Sequence, residues 1–143
     1  RRGLIPPSCR VLLMLHLLAL SLALSAQSAS IPTQQTDSVR DDDAIRMVAL
    51  RHAKDIQACY ENSGLKVNPT LTGMVEVEVT VLPSGRVQNA NVSASALRGA
   101  GRESVESCIT TAVKNWRYER GNFAVETIVY PFNLVPDKGV QTA

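Results

Sequence analysis

Few side chains in this 143-residue chain are of the types that carry out chemistry. Beyond residue 30 there is one histidine, His52, which lies in an amphipathic helical pattern where a partly buried packing role is expected. Glu76 and Glu78 lie two residues apart in an alternating strand pattern, so they share an exposed face that keeps the strand soluble. An enzyme needs a nucleophile with a base, tuned carboxylates, a metal cage or a cofactor loop. Because none is recognisable, we expect a protein that is not an enzyme.

Metal and cofactor sites are not expected either. Asp41, Asp42 and Asp43 precede a helical pattern, where carboxylates cap free amides and complement the helix dipole. One histidine and two cysteines would need a fourth ligand from elsewhere to form a structural zinc site. The glycines between residues 95 and 103 form no phosphate-binding signature. Asn91-Val92-Ser93 fits a glycosylation pattern, but its position in a strand pattern favours a chance match.

The first 29 residues differ from the rest of the chain. Three arginines precede an apolar run at residues 11–24, and small and polar residues follow, which is the order of a secretory signal peptide. The run is shorter than the ~20 residues of a membrane-spanning helix. We predict a signal peptide at residues 1–29, cleaved between Ser25 and Ser30, and export to the periplasm. The alternative is an uncleaved inner-membrane anchor with His16 in the bilayer.

Charge and cysteine content change once this segment is set aside. Three of the fifteen basic residues lie in it, so the remainder carries twelve basic and thirteen acidic groups, and no basic patch indicates nucleic-acid binding. Cys9 is also removed, which leaves Cys59 and Cys108. An even pair in an exported protein is by default a disulfide. Two buried free thiols are the alternative.

The remaining chain divides into a flexible leader at residues 30–40, one domain at residues 41–137 and a tail at residues 138–143. Helical, alternating and turn patterns occur in the domain in a clear order. The predicted elements are a helix ending near Gly64, strands at residues 74–82 and 87–94, a helix at residues 104–116 and a strand at residues 124–134.

This order, αββαβ, predicts an α+β domain of two layers. The sheet is expected to be three-stranded and antiparallel with strand order 2-1-3, and the two helices cover one of its faces. A disulfide between Cys59 and Cys108 requires this arrangement, because both lie on inner helix faces. The third strand is then an edge, where Pro131 is tolerated because its missing N–H can face solvent.

The motifs of several segments together resemble a known family. These segments are GMVEVEVTVLPSGRVQNANVSAS, VESCITTAVKNWRY and AVETIVYPFNL. They resemble the C-terminal domain of the TonB family, with a Gly-Val-Val-type hairpin, a helix ending in Trp and a final strand. IQACYENSGLKVNPTLTG and the VESCI and YPF motifs make the chain more similar to the AgmX/PglI C-terminal domain, a TonB-like family. The resemblance covers residues 56–134.

This resemblance implies a periplasmic interaction domain whose last strand pairs with an extended segment of an envelope protein. Such strand addition would use the backbone for affinity and alternate side-chain pockets for selectivity. The expected partner-binding edge is Val125, Glu126, Thr127, Ile128, Val129 and Tyr130. Pro131 limits the pairing. In the alternative, Pro131 is only a guard against aggregation and no partner docks at the edge. Edge-to-edge homodimers are a further possibility.

The chain departs from TonB-type energy transducers in its spacer. About fifteen residues separate the apolar run from Asp41, which span only ~50 Å when fully extended. A free periplasmic domain in envelope transport or motility is therefore expected over a force-transmitting protein. A small anchored protein of the energy-transducer kind is the alternative.

Overall fold

A computed structural model describes residues 38–142. The predicted signal peptide, most of the predicted leader and Ala143 lie outside the described residues. Within residues 38–142, no helix is long and apolar enough to cross a membrane.

The first helix, α1, spans Asp42–Arg51. Asp41 caps it as predicted, because its Oδ1 accepts hydrogen bonds from the backbone N–H groups of Asp43 (2.9 Å) and Ala44 (3.3 Å). The cap satisfies two amides that have no partner within the helix. The N-terminus of α1 is therefore fixed by its own sequence.

The predicted single helix does not continue unbroken to Gly64. It is interrupted at His52, whose backbone has φ −102° and ψ 8°. A second helix, α2, spans Ala53–Cys59 and passes into a π-helical turn, Tyr60–Leu65. Gly64 is buried in this turn, and a Cβ added there would lie 2.8 Å from Val105 Cγ2. This glycine therefore allows close packing of two helical segments, a role that differs from the predicted helix stop.

The strands form one antiparallel sheet with the order β2-β1-β3-β4. Their bounds are Gly73–Val81 for β1, Val87–Ser95 for β2, Glu126–Val135 for β3 and Gly139–Thr142 for β4, and the helix α3 spans Arg102–Lys114 between β2 and β3. The prediction of an α+β domain is confirmed, and the order 2-1-3 is part of the observed sheet. The prediction of three strands is wrong, because the sheet has a fourth strand within the residues predicted as a tail.

The fourth strand arises from a tight turn after β3. Pro136 and Asp137 are residues typical of turns, and Gly139 adopts a φ of 71° that favours glycine. The N–H of Lys138 donates to the carbonyl of Val135 (3.1 Å). The chain thus reverses at once and pairs β4 with the C-terminal half of β3.

The core lies between the helices and one face of the sheet. Alternate residues of β1 are buried, as its period of two predicts. Side chains from the helices and from the neighbouring strands complete the core. The largest fully buried side chains include Trp116, Tyr60, Phe132, Ile56, Leu71, Leu97, Ile109 and Leu134.

The two remaining cysteines join the helical layer. Cys59 at the end of α2 and Cys108 in α3 have Cα atoms 5.6 Å apart, within the range of a disulfide, and their sulfur atoms are at bonding distance. This is consistent with the predicted disulfide. It also requires α2 and α3 to lie on the same side of the sheet, as predicted.

Candidate functional site: the outer edge of β3

The direction of the backbone groups of β3 follows from two contacts at Leu134. Its carbonyl accepts a hydrogen bond from Thr72 Oγ1 (2.9 Å), which lies just before β1. Val140 is the partner of Leu134 in β4, and its N–H turns away from β3 to Gln57 Oε1 (2.7 Å). Leu134 therefore directs its own N–H and C=O towards β1.

The direction alternates along the strand. β1 and β3 pair in an unbroken register from Gly73 with Leu134 to Val81 with Glu126, so the alternation is not shifted. Residues at odd-numbered positions of β3 therefore direct their N–H and C=O groups to the other side, where β4 pairs with residues 132–135. This side is called the outer edge below.

The outer edge is uncovered from Thr127 to Pro131. Thr142, the last residue of β4, is opposite Phe132, so no strand within residues 38–142 pairs with this part of the edge. The N–H groups of Thr127 and Val129 and the carbonyls of Thr127, Val129 and Pro131 point outward. The third strand was predicted to be the edge strand of the sheet, with pairing limited at Pro131; it is not the outermost strand, because β4 pairs with residues 132–135.

Pro131 sits where the covered and uncovered parts meet. Its partner in β1 is Glu76, and the pairs on both sides of it keep the same register. The missing N–H of the proline would point to the outer edge, so the ladder with β1 loses no bond. The proline is therefore tolerated in this strand for the reason expected from the sequence.

The start of β3 is fixed by a buried arginine. The guanidinium of Arg40 forms an ion pair with the carboxylate of Glu126, and the N–H of Arg40 donates to Glu126 Oε1 (2.6 Å). Arg40 also donates from Nε to the carbonyl of Glu119 (3.0 Å) and from Nη2 to that of Leu82 (2.7 Å). Val125 precedes the strand and is 57% exposed. Val125 and Glu126 thus lie just before and at the start of β3, ahead of the uncovered backbone groups of Thr127.

The six residues predicted as the edge divide into three kinds. Thr127 and Val129 present backbone groups at the edge, whereas Ile128 and Tyr130 direct their backbone to β1 and their side chains to the helical face. Val125 and Glu126 lie before the uncovered part.

A groove of about 530 Å³ runs between α1 and the uncovered edge. One wall belongs to α1, the other belongs to β3, and Thr142 closes one end. The lining residues are Asp42, Ile45, Arg46, Ala49, Leu50, Ile128, Val129, Tyr130, Pro131 and Thr142. The groove is thus largely apolar, with one acidic and one basic side chain on the helical wall.

A chain of hydroxyl groups holds α1 against β3. Tyr130 Oη donates to the carbonyl of Ile45 (3.2 Å), and the hydroxyls of Tyr118 and Tyr130 are 3.1 Å apart. Burial raises the pKa of Tyr130 above its ordinary value, and burial followed by the bond to Tyr130 does the same for the pKa of Tyr118. Both hydroxyls are therefore neutral at physiological pH, and the one of Tyr130 bonds directly to α1.

The other side chains considered for chemistry have structural surroundings. His52 is partly buried and stacks on Trp116 with ring centroids 5.3 Å apart, and its Nδ1 lies 3.0 Å from Asp55 Oδ2. Within residues 38–142, no group of three or more His, Cys, Asp or Glu side chains could hold a metal ion. Glu76 and Glu78 lie on the open face of the sheet, opposite Pro131 and Val129.

Sequence reasoning missed two parts of this site. The turn pattern of residues 135–139 is a hairpin signal that could have revealed β4. The helical wall had no such signal, because the strand beside which a helix packs depends on contacts distant in sequence. The exposure of Leu50 marks the helical wall, but it is visible only in the structure, where this apolar residue is 48% exposed.

Comparison of the chain with protein-family models found no match, and neither did comparison with curated proteins or with solved structures. The fold and the site define the class of protein by themselves. It is a two-layer α+β domain that leaves a short strand edge uncovered beside an apolar groove.

Proposed function

We propose that this chain is an exported, non-enzymatic interaction domain of the TonB-like type. It binds an extended segment of a cell-envelope protein by strand addition at the outer edge of β3, in envelope transport or motility. The observation that carries the proposal is the set of outward backbone groups at Thr127, Val129 and Pro131, next to the groove under α1. The motif resemblance supports the same mode of binding.

The edge can supply affinity through the backbone alone. A docked strand would form up to five main-chain hydrogen bonds, two from N–H donors of β3 and three to its carbonyls. Each such bond contributes about 0.5–1.5 kcal/mol net. Strand addition of this kind binds extended segments without requiring a particular residue at each position.

The groove can supply selectivity. In a strand added to β3, every second side chain faces the helical layer, beside Ile128 and Tyr130. These side chains would enter the groove and contact α1, while the intervening ones would lie over the open face of the sheet. Burial of apolar side chains there contributes about 25 cal/mol per Å² of apolar surface.

The test removes one outward donor and leaves the fold in place. Val129→Pro deletes an N–H that the ladder with β1 does not use, so β3 should remain paired. Val129→Thr is the matched control, because it keeps the N–H and the β-branched shape. The native full chain and both variants are used as bait in envelope extracts, and the captured protein is identified. The extended segment of that protein is then prepared as a peptide, and its affinity for each of the three chains is measured.

We expect the native chain and Val129→Thr to bind the segment equally and Val129→Pro to lose binding by at least about tenfold, since one donor is lost and the pairing is blocked. Thermal unfolding of each variant shows that the fold is retained. Equal binding by all three chains would refute docking at this edge. Pro131 would then act only as a guard against edge pairing.

A further inference from the structure

We infer that the segment that fits this edge carries two apolar side chains separated by one basic residue, with the basic side chain directed at Glu78. The inference rests on the proposed function and specifies its ligand.

The two apolar positions follow from the groove. Residues of the docked strand opposite Ile128 and Tyr130 direct their side chains to the helical face, because paired residues share a face. There they meet Ile45 and Leu50 on the wall of α1. A groove of about 530 Å³ has room for two aliphatic side chains. These positions are two residues apart, on either side of the residue opposite Val129.

The intervening position lies over the open face of the sheet. A residue opposite Val129 places its side chain beside that of Val129, which is 48% exposed. On the other side of Val129 lies Glu78 in β1. Neighbouring strands are about 4.8 Å apart, so the docked residue and Glu78 are separated by about 10 Å between their Cα atoms. A lysine or arginine side chain and a glutamate side chain together span this distance.

The charges of the two faces favour this arrangement. Glu78 has no ion-pair partner within residues 38–142, and its neighbour in β2 is the uncharged Asn91. Glu76 also lies on this face, but Arg98 lines the same depression. On the opposite, helical face the groove is lined by both Asp42 and Arg46, whose opposite charges offset each other. The unpaired charge that a cation in the docked strand can meet is therefore Glu78, on the open face.

Three short peptides test the inference against the full chain. They are Ser-Val-Lys-Val-Ser, Ser-Val-Gln-Val-Ser and Ser-Val-Glu-Val-Ser, which differ only in the central charge and keep the same alternation in either strand direction. Titrations follow the backbone N–H signals of Thr127 and Val129 by NMR. Glu78→Gln removes the charge, and Glu103→Gln on α3 is a control that removes an exposed charge elsewhere.

We expect the lysine peptide to bind most tightly and the glutamate peptide most weakly. An exposed pair of opposite charges corresponds to a roughly two- to fivefold gain in affinity over the glutamine peptide. The preference should vanish in Glu78→Gln, persist in Glu103→Gln and shrink at high salt.

Two other outcomes separate the inference from the proposed function. If all three peptides bind equally, or if the glutamate peptide binds best, the inference is overturned and docking at the edge stands. If no peptide shifts the signals of Thr127 and Val129, both the inference and the proposed function are overturned.

Discussion

The two long strands that flank β1, namely β2 and β3, differ in the regularity of their unpaired backbone edges. Among residues 38–142, β2 pairs only with β1, so its outer side lies at the end of the described sheet. Its register with β1 shifts twice, between Glu76 and Val77 and between Thr80 and Val81. β3, in contrast, pairs with β1 over nine residues with no shift. The uncovered backbone is thus irregular at β2 and regular at β3.

This difference teaches that an uncovered strand is not by itself a docking site. Bulges leave residues unpaired and increase the local twist, so a partner strand cannot pair continuously along β2. β2 is also polar, with the sequence VQNANVSAS. The edge of β3 is limited by other means, namely Pro131 and the pairing with β4. These leave an uncovered stretch of five residues whose register with β1 is regular. The edge of β3 lies beside the groove of about 530 Å³ under α1.

Hydrogen exchange gives the sharpest test of the comparison and the largest expected effect. In β3 the N–H groups of Ile128 and Tyr130 bond to β1, whereas those of Thr127 and Val129 face outward. We expect the first two to exchange roughly 10²- to 10⁴-fold more slowly than the other two, because they are released only when the sheet opens. In β2 the bulges should disrupt any such regular alternation. Uniform protection from residue 127 to 130 would contradict the assigned direction of the edge.

A second test replaces the proline that limits the edge. Pro131→Val adds a third outward N–H in line with those of Thr127 and Val129. A docked segment should then bind roughly two- to tenfold more tightly, which corresponds to one added hydrogen bond. Two copies should also associate edge to edge in sedimentation experiments at high concentration, because the guard against pairing is gone.

The matched control for this test is on the other edge. Ser93→Val makes β2 more apolar and more β-prone, yet its bulges remain. We expect no self-association of this variant. If Ser93→Val associates and Pro131→Val does not, the edge of β2, and not that of β3, is the one that pairs with another strand.

The sequence was sufficient for much of the fold because its patterns are local. The alternating valines of β1 and the aspartate cap of α1 reflect short-range geometry, and the cysteine pair was predicted from the even number of cysteines beyond residue 30. The fourth strand was missed because four residues carry too little alternation, although the turn before it had a signal. The break at His52 and the groove wall depend on contacts with distant residues, such as Trp116 and Tyr130, that no local pattern encodes.

The third test concerns the hydroxyl that holds the groove wall in place. Tyr130→Phe removes the bond to the carbonyl of Ile45 and the bond to Tyr118. We expect about 1–2 kcal/mol lower stability, from lost buried hydrogen bonds, and about twofold weaker binding of a docked segment because α1 is less firmly placed. Tyr118→Phe is the control, since it leaves the bond to Ile45 and should weaken stability without weakening binding.

High pH should act on the same contact. The pKa of buried Tyr130 is raised in the folded protein above the ordinary value of 10.0, so the unfolded chain loses this proton first. The stabilising contribution is therefore complete below about pH 10 and is lost as the pH rises above that value. All three tyrosines, Tyr60, Tyr118 and Tyr130, have raised pKa values. Phenolate absorbance should consequently appear together with unfolding in an alkaline titration, and a phenolate signal that precedes unfolding would show that the wall of the groove opens separately from the sheet.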